Sequence, residues 1–174
     1  MTIHSDHPFL EPEHERDPLR RFRGRLGGPV SLWTAGGNGG AERAGLTVSS
    51  LMVAAGEPGR VLGLLDPDSD LCERLRETGR AVVALLGWEH RDLADAFAGV
   101  APAPGGPFRT GSFTATPWGP RLDTALAWVH VTLESEHDAG WSSLVTCTVD
   151  EVGIGDDAPP LVHRRGRYQR PATD

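Results

Sequence analysis

Apolar and polar side chains alternate at Leu46, Thr47, Val48 and Ser49, the period of two expected of a strand with one apolar and one hydroxyl-bearing face. The pattern predicts a strand over residues 46–53, following one over 29–35. Gly36-Gly37-Asn38-Gly39-Gly40 lies between them as a turn, with Asn-Gly as its hairpin signal. Glu57-Pro58-Gly59 turns the chain again. The unbroken apolar runs 61–65 and 81–86 read as strands buried on both faces. The longest strand is predicted over 122–134. Ala125, Ala127, Val129, Val131 and Leu133 mark one of its faces; Leu126, Trp128, His130, Thr132 and Glu134 mark the other. His130 reads there as a half-exposed strand residue. Shorter strands are expected over 111–116, 142–152 and 161–163, and residues 100–110, rich in Pro and Gly, form a loop.

A period of three to four appears in three short places. Residues 18–26 open with Asp17 as N-cap and Pro18 at the first helical position; Leu19 and Phe22 share a face and arginines fill the other. Ser69 caps a helix over 70–78, with Leu71 and Leu75 one turn apart and Gly79 as its stop. Residues 92–98 pair Leu93 with Phe97. Strands dominate, turns are frequent, and the order is not a repeating βαβ. The expected fold is mainly β: a closed antiparallel Greek-key (split) barrel with short helical insertions.

Length, charge and cysteine content narrow the function classes. A chain of 174 residues makes one domain with a real core. Residues 1–17 are acidic, His- and Pro-containing and nearly free of apolar anchors; they read as a flexible arm ahead of a domain over 18–170. The arm has no apolar core of a signal peptide, and nothing fixes His4, His7 and His14 as a metal site. No apolar run approaches a membrane span. The expectation is a soluble, cytoplasmic protein with no membrane partner. With 24 acidic against 17 basic residues, the net charge of −7 argues against nucleic acid. Arginines do cluster at 20, 21, 23 and 25 and at 164, 165 and 167; each cluster is either a solvated face or a patch for one small phosphorylated ligand. Cys72 and Cys147 have no partner spacing and read as buried free thiols.

Candidate chemistry concentrates in Ala44-Gly45-Leu46-Thr47-Val48-Ser49-Ser50. Extended backbone with three hydroxyls next to a glycine suits a cofactor's backbone and phosphate contacts; a half-buried strand with a solvated polar face is the other reading. The Gly36–Gly40 cluster, positions 36–40, is no P-loop, since no Gly-Lys-Ser/Thr follows, and Glu42 breaks the dinucleotide fingerprint. Gly-x-Ser-x-Gly does not occur.

Seven segments in order resemble the flavin reductase-like, FMN-binding split-barrel family. They are Pro29-Val-Ser-Leu-Trp-Thr-Ala-Gly36, Gly45-Leu-Thr-Val-Ser-Ser50, Val61-Leu-Gly-Leu-Leu-Asp-Pro-Asp-Ser69, residues 79–86, His90-Arg-Asp-Leu-Ala-Asp-Ala-Phe-Ala-Gly99, Leu122-Asp-Thr-Ala-Leu-Ala-Trp128 and Pro160-Leu-Val-His-Arg-Arg-Gly-Arg-Tyr168. The resemblance covers about residues 18–170. It implies an NAD(P)H-dependent flavin reductase, an oxidoreductase with no protein nucleophile, that binds FMN or FAD, takes electrons from NADH or NADPH, supplies reduced flavin to a partner monooxygenase, and forms a homodimer with flavin at the interface. By the same resemblance Thr47, Val48, Ser49 and Ser50 contact the flavin, Leu64, Leu65 and Asp66 lie along the ring edge, Ser69 helps bind phosphate with Arg165 or Arg167 nearby, and His163 lies near the nicotinamide. The chain departs from the family pattern at Asp66, often Asn there, at Ala81 and Ala84, often Phe and Asn, and at Gly140-Trp141-Ser142, where many NADH-using members carry Gly-Asp-His. These departures leave a non-catalytic flavin carrier or sensor as the alternative, and a dimeric interaction module behind it. Trp141 reads as a packed strand residue or as a ring-stacking one.

Overall fold

The computed structural model describes residues 17–37 and 42–170. The arm over 1–16 and most of the Asn38-Gly39 turn lie outside them. Helix α1 (Pro18–Arg25) starts as expected: the Asp17 carboxylate accepts from the Arg20 amide at 3.1 Å. Three strands follow, β1 (Gly28–Pro29), β2 (Ser31–Ala35) and β3 (Ala44–Val48), and then β4 (Leu51–Ala54) and β5 (Arg60–Leu65). Helix α2 (Asp70–Thr78) begins at Ser69, whose hydroxyl accepts from the Cys72 amide, and ends at Gly79 in the left-handed region, φ 66°. Strand β6 (Arg80–Leu85), helix α3 (Arg91–Phe97), the hairpin β7 (Phe113–Thr116) and β8 (Gly119–Leu122), the long hairpin β9 (Ala127–Ala139) and β10 (Ser142–Ile154), and a last hairpin β11 (Val162–Arg164) and β12 (Arg167–Gln169) complete the chain.

Seven strands form one antiparallel sheet in the order β3-β2-β6-β9-β10-β5-β4. Its two edge strands, β3 and β4, are joined by only Ser49 and Ser50. Flat, such a sheet would hold its edges about 29 Å apart, six gaps of about 4.8 Å. Three Cα steps reach at most about 11 Å. The sheet therefore curls until the linked ends of its two edges lie within that reach, giving a half-barrel. No ladder crosses the seam between β3 and β4.

Two apolar cores lie on either side of β2 and β6. Inside the curl, Trp33, Val61, Leu65, Val83, Val131 and Val145 meet Leu71, Cys72 and Leu75 of α2. Outside it, Val30, Leu32, Ala84 and Leu86 meet Leu93 and Phe97 of α3, together with Leu122 and Leu161. Strand β6 feeds both, so 81–84 are all buried, as its unbroken apolar run predicts. Cys72 and Cys147 are free and buried, and burial pushes the Cys147 thiol up to about 12.

A small sheet, β1-β11-β12, is fastened to the large one. The Val30 amide donates to Leu161, Leu161 to Leu86, and Leu86 back to Val30, at 2.8–3.1 Å, all three residues being buried. Strand β12 and this fastening have no counterpart in the sequence reading.

Four expectations are corrected. The strand over 46–53 is two strands, broken at Ser49-Ser50. Strand β5 is not buried on both faces: Val61 and Leu65 face the core while Leu64 is 42% exposed. The strand expected over 122–134 starts at Ala127 and runs on to Ala139, with Leu122 belonging to β8. His130 is buried, not half-exposed; it stacks on Trp118, centroids 4.5 Å apart, lies tilted against Trp128 at 4.4 Å, and its Nδ1 lies 3.0 Å from the Glu151 carboxylate. Burial holds its pKa below the usual histidine value.

Candidate functional site

The site is built where the two sheet edges and the small sheet converge. Thr47 and Ser49 flank buried Val48, the last residue of β3. Helix α3 backs this strand closely: the Thr47 hydroxyl donates to the Ala94 carbonyl at 2.7 Å, and a Cβ at Gly45 would lie 2.6 Å from the Phe97 ring, so only glycine fits. From the other side, the Ser31 hydroxyl donates to the Val48 carbonyl at 2.8 Å and accepts from the Trp33 indole at 3.2 Å. The end of β3 is thus fixed on both faces just before the chain crosses the seam.

Across the seam, Ser50 locks onto Leu64. Its hydroxyl donates to the Leu64 carbonyl at 2.8 Å and accepts from the Leu64 amide at 3.2 Å. Ser49 keeps its side chain exposed, with no hydrogen bond among the described residues. Gly28 sits against the Ser49 carbonyl, where a Cβ would come within 2.9 Å, and pairs with His163 on β11. The C-terminal hairpin is thereby brought to the seam: His163 packs edge-on against Tyr168 at 5.9 Å, and Arg164, Arg165 and Arg167 follow.

The predicted residues therefore fall into two groups. Ser49, Ser50, Leu64 and His163 come together at the seam, while Arg165 lies two residues beyond His163 on the turn that meets Gly24 of α1. Val48 and Leu65 give their side chains to the core, and the Thr47 hydroxyl is committed to α3. Asp66 is exposed beyond β5, its carboxylate accepting from the Asp68 amide at 2.9 Å. The Ser69 hydroxyl donates to the Asp66 carbonyl while it caps α2, and Asp70 and Glu73 occupy the first turn of that helix. Four acidic side chains, Asp66, Asp68, Asp70 and Glu73, surround that loop and turn, and their repulsion would oppose an anion there.

The groups at the seam fit a flavin: an uncommitted hydroxyl at Ser49 and an apolar wall from exposed Leu64, with the arginines of the β11–β12 turn beyond His163. Sequence reasoning missed Gly28, the residue that joins the small sheet to Ser49. It misplaced Trp141, which is neither packed nor within a strand but wholly exposed at the tip of the β9–β10 hairpin, after Gly140 at φ 62°. Ser143 pairs with Leu65, so this tip overhangs the end of β5. The Glu136 carboxylate fixes it there, accepting from Arg76 at 2.6 Å, while Arg76 also donates to the Pro67 carbonyl at 3.2 Å. An apolar cleft lined by Leu51, Val53, Val61, Leu85, Trp128 and Ile154 among others runs along β4 from Leu51, beside the seam, to its far end.

The family model described as the flavin reductase like domain matches residues 23–172. The chain is 29% identical over 151 residues to an FMN reductase (NADH) RutF of Methylorubrum extorquens, covering 86% of this chain and 72% of that one. It is 28% identical over 131 residues to the reductase component of a 4-hydroxyphenylacetate 3-monooxygenase of Thermus thermophilus, covering 75% and 81%. The styrene monooxygenase flavin reductase of Pseudomonas putida S12 has a similar fold, with a TM-score of 0.79 over 91% of this chain and 99% of that one at 23% identity.

Proposed function

The chain belongs to the flavin reductase like family, and from that membership we propose that it is an NADH-dependent FMN reductase that passes reduced flavin to a partner monooxygenase. FMN, with FAD as the alternative, would supply the hydride acceptor at N5. The chain's own residues bind and orient. Ser49 offers a hydroxyl to the flavin, Leu64 an apolar wall, Arg165 a cation for the phosphate, and His163 borders the side from which nicotinamide arrives. One observation carries the reading. The seam gathers Ser49, Ser50, Leu64 and His163, four residues scattered over more than a hundred positions, where the family resemblance calls for the flavin. The named relatives that act as FMN reductase and as a monooxygenase's reductase component support it. Residues 18–170 act as one reductase domain, and Met52, Val53 and Leu64, apolar and exposed at the β4 edge, suit cover by a second copy in a homodimer.

The test is oxidation of NADH and of NADPH by purified protein, with FMN added and then FAD. Rapid flavin-dependent oxidation with NADH and FMN is expected. Protein that binds flavin by titration but oxidises neither nucleotide would replace this reading with a flavin carrier or sensor. The observation favouring that second reading is Trp141-Ser142 in the place of Asp-His.

A further inference from the structure

Two arginine clusters from opposite ends of the chain become one surface in the fold. The Arg165 amide donates to the Gly24 carbonyl at 2.9 Å, and Arg164 Nε donates to the Arg25 carbonyl at 3.3 Å. The β11–β12 turn thus lies against the last turn of α1. Residues 18–35 and 159–170 hold eight of the chain's 17 basic residues, all arginine, and none of its 24 acidic ones. Among the described residues none of these eight pairs with a carboxylate side chain, whereas Arg60, Arg74 and Arg76 elsewhere each do. Arginines gathered without ion-pair partners among the described residues repel one another, and a bound anion would relieve that repulsion.

Helix α1 adds a second feature. It buries none of its residues, and Phe22 stands 64% exposed. Pro18, Arg21, Phe22 and Arg25, spaced i, i+3, i+4 and i+7, line a shallow cleft of about 230 Å³, so Arg21 and Arg25 share the Phe22 face and correct the expectation that the arginines fill the opposite one. Guanidinium groups are forks for phosphate oxygens, and an open aromatic ring is a platform for a purine. A lone inorganic anion would need the arginines but not the ring. The cleft is also close to the seam: Arg25 is three residues, at most about 11 Å, from Gly28, which touches Ser49.

We propose that α1 binds the adenosine diphosphate half of the nicotinamide dinucleotide, with Arg21 and Arg25 on the pyrophosphate and Phe22 under the adenine, while Arg165 on the neighbouring turn is left to the flavin phosphate. This rests on the reductase reading and assigns that enzyme's donor a place on this chain. The phosphate of FMN is the other source of the same chemistry.

The experiment is calorimetric titration of the full chain at low salt with ADP, with inorganic pyrophosphate and with FMN, for the native protein, Arg21→Gln/Arg25→Gln and Phe22→Ala. Since α1 buries nothing, neither variant disturbs a core. The expected result is an ADP Kd raised at least tenfold in the double variant and a few-fold in Phe22→Ala, with FMN affinity unchanged. The KM for NADH rises in step while kcat holds. Native protein that binds no ADP, or variants that bind it as well as native, overturn the proposal. So does pyrophosphate binding as tight as ADP with Phe22→Ala silent, which leaves charge alone. Lost FMN affinity with ADP binding intact assigns the surface to the flavin phosphate and overturns it too. Protein that loses ADP binding as expected yet reduces no flavin keeps this site and rejects the reductase reading.

Discussion

Ser31 shows how one buried oxygen can set a site it never touches. Its hydroxyl joins the Trp33 indole to the Val48 carbonyl, and Ser49 follows. Ser31→Ala leaves the indole N–H buried without a partner, and urea unfolding should show about 2 kcal/mol lost. The two seam serines should separate in the same assay. Ser49→Ala is expected to weaken FMN binding at unchanged stability, and an unaltered Kd would remove Ser49 from the site. Ser50→Ala is expected to cost about 1 kcal/mol, because its hydroxyl bridges β4 to β5. Residues whose role is local were legible in the sequence. Asp17 and Ser69 cap because the helix amides lie three positions on. Trp141 and His130 were not legible. Their exposure depends on where a hairpin ends and on which tryptophans fold over a strand, and neither is encoded within a few positions.

At the scale of elements, the break between β3 and β4 did leave a trace. Apolar positions run 46 and 48, then 51 and 53, so the alternation slips by one at the two serines. The slip marks a strand ending at one edge and another beginning at the far one. The late start of β9 left a weaker trace, because Leu122 to Ala127 is apolar enough to read as strand while its backbone turns. Arg76 ties the loop after β5 to β9, donating to the Pro67 carbonyl and pairing with Glu136. Arg76 hydrogen-bonds the Glu136 carboxylate and holds its pKa down at about 2, below the ordinary 4.5. A depressed carboxylate pKa stabilises the fold above pH 4.5, and that contribution is lost as pH falls toward 2. Glu136→Gln should therefore cost about 1 kcal/mol at neutral pH and flatten the acid limb of a stability–pH curve between those values. An unchanged limb would show that the pair contributes nothing in solution.

At the scale of the molecule, the fold class was readable because strand periods and turn residues recur along the chain. The small sheet was not readable, since it pairs residue 28 with residue 163. The same pairing merges the arginine clusters, which sequence could show only as two separate patches. Gly28→Ala probes this level. Its methyl would meet the Ser49 carbonyl, a main-chain atom that cannot swing away. The expected result is weaker FMN binding with the large sheet's far-ultraviolet circular dichroism retained.

The two-residue crossing between β3 and β4 has a mechanical consequence. No row of hydrogen bonds closes the sheet between β3 and β4, so its margins are kept in step by the shared core and by this one covalent crossing, as a buckle keeps a belt closed. A circular permutant with new termini between Ser49 and Ser50 would keep every strand pairing and still lose that buckle. Its ability to hold flavin should disappear before its ability to fold.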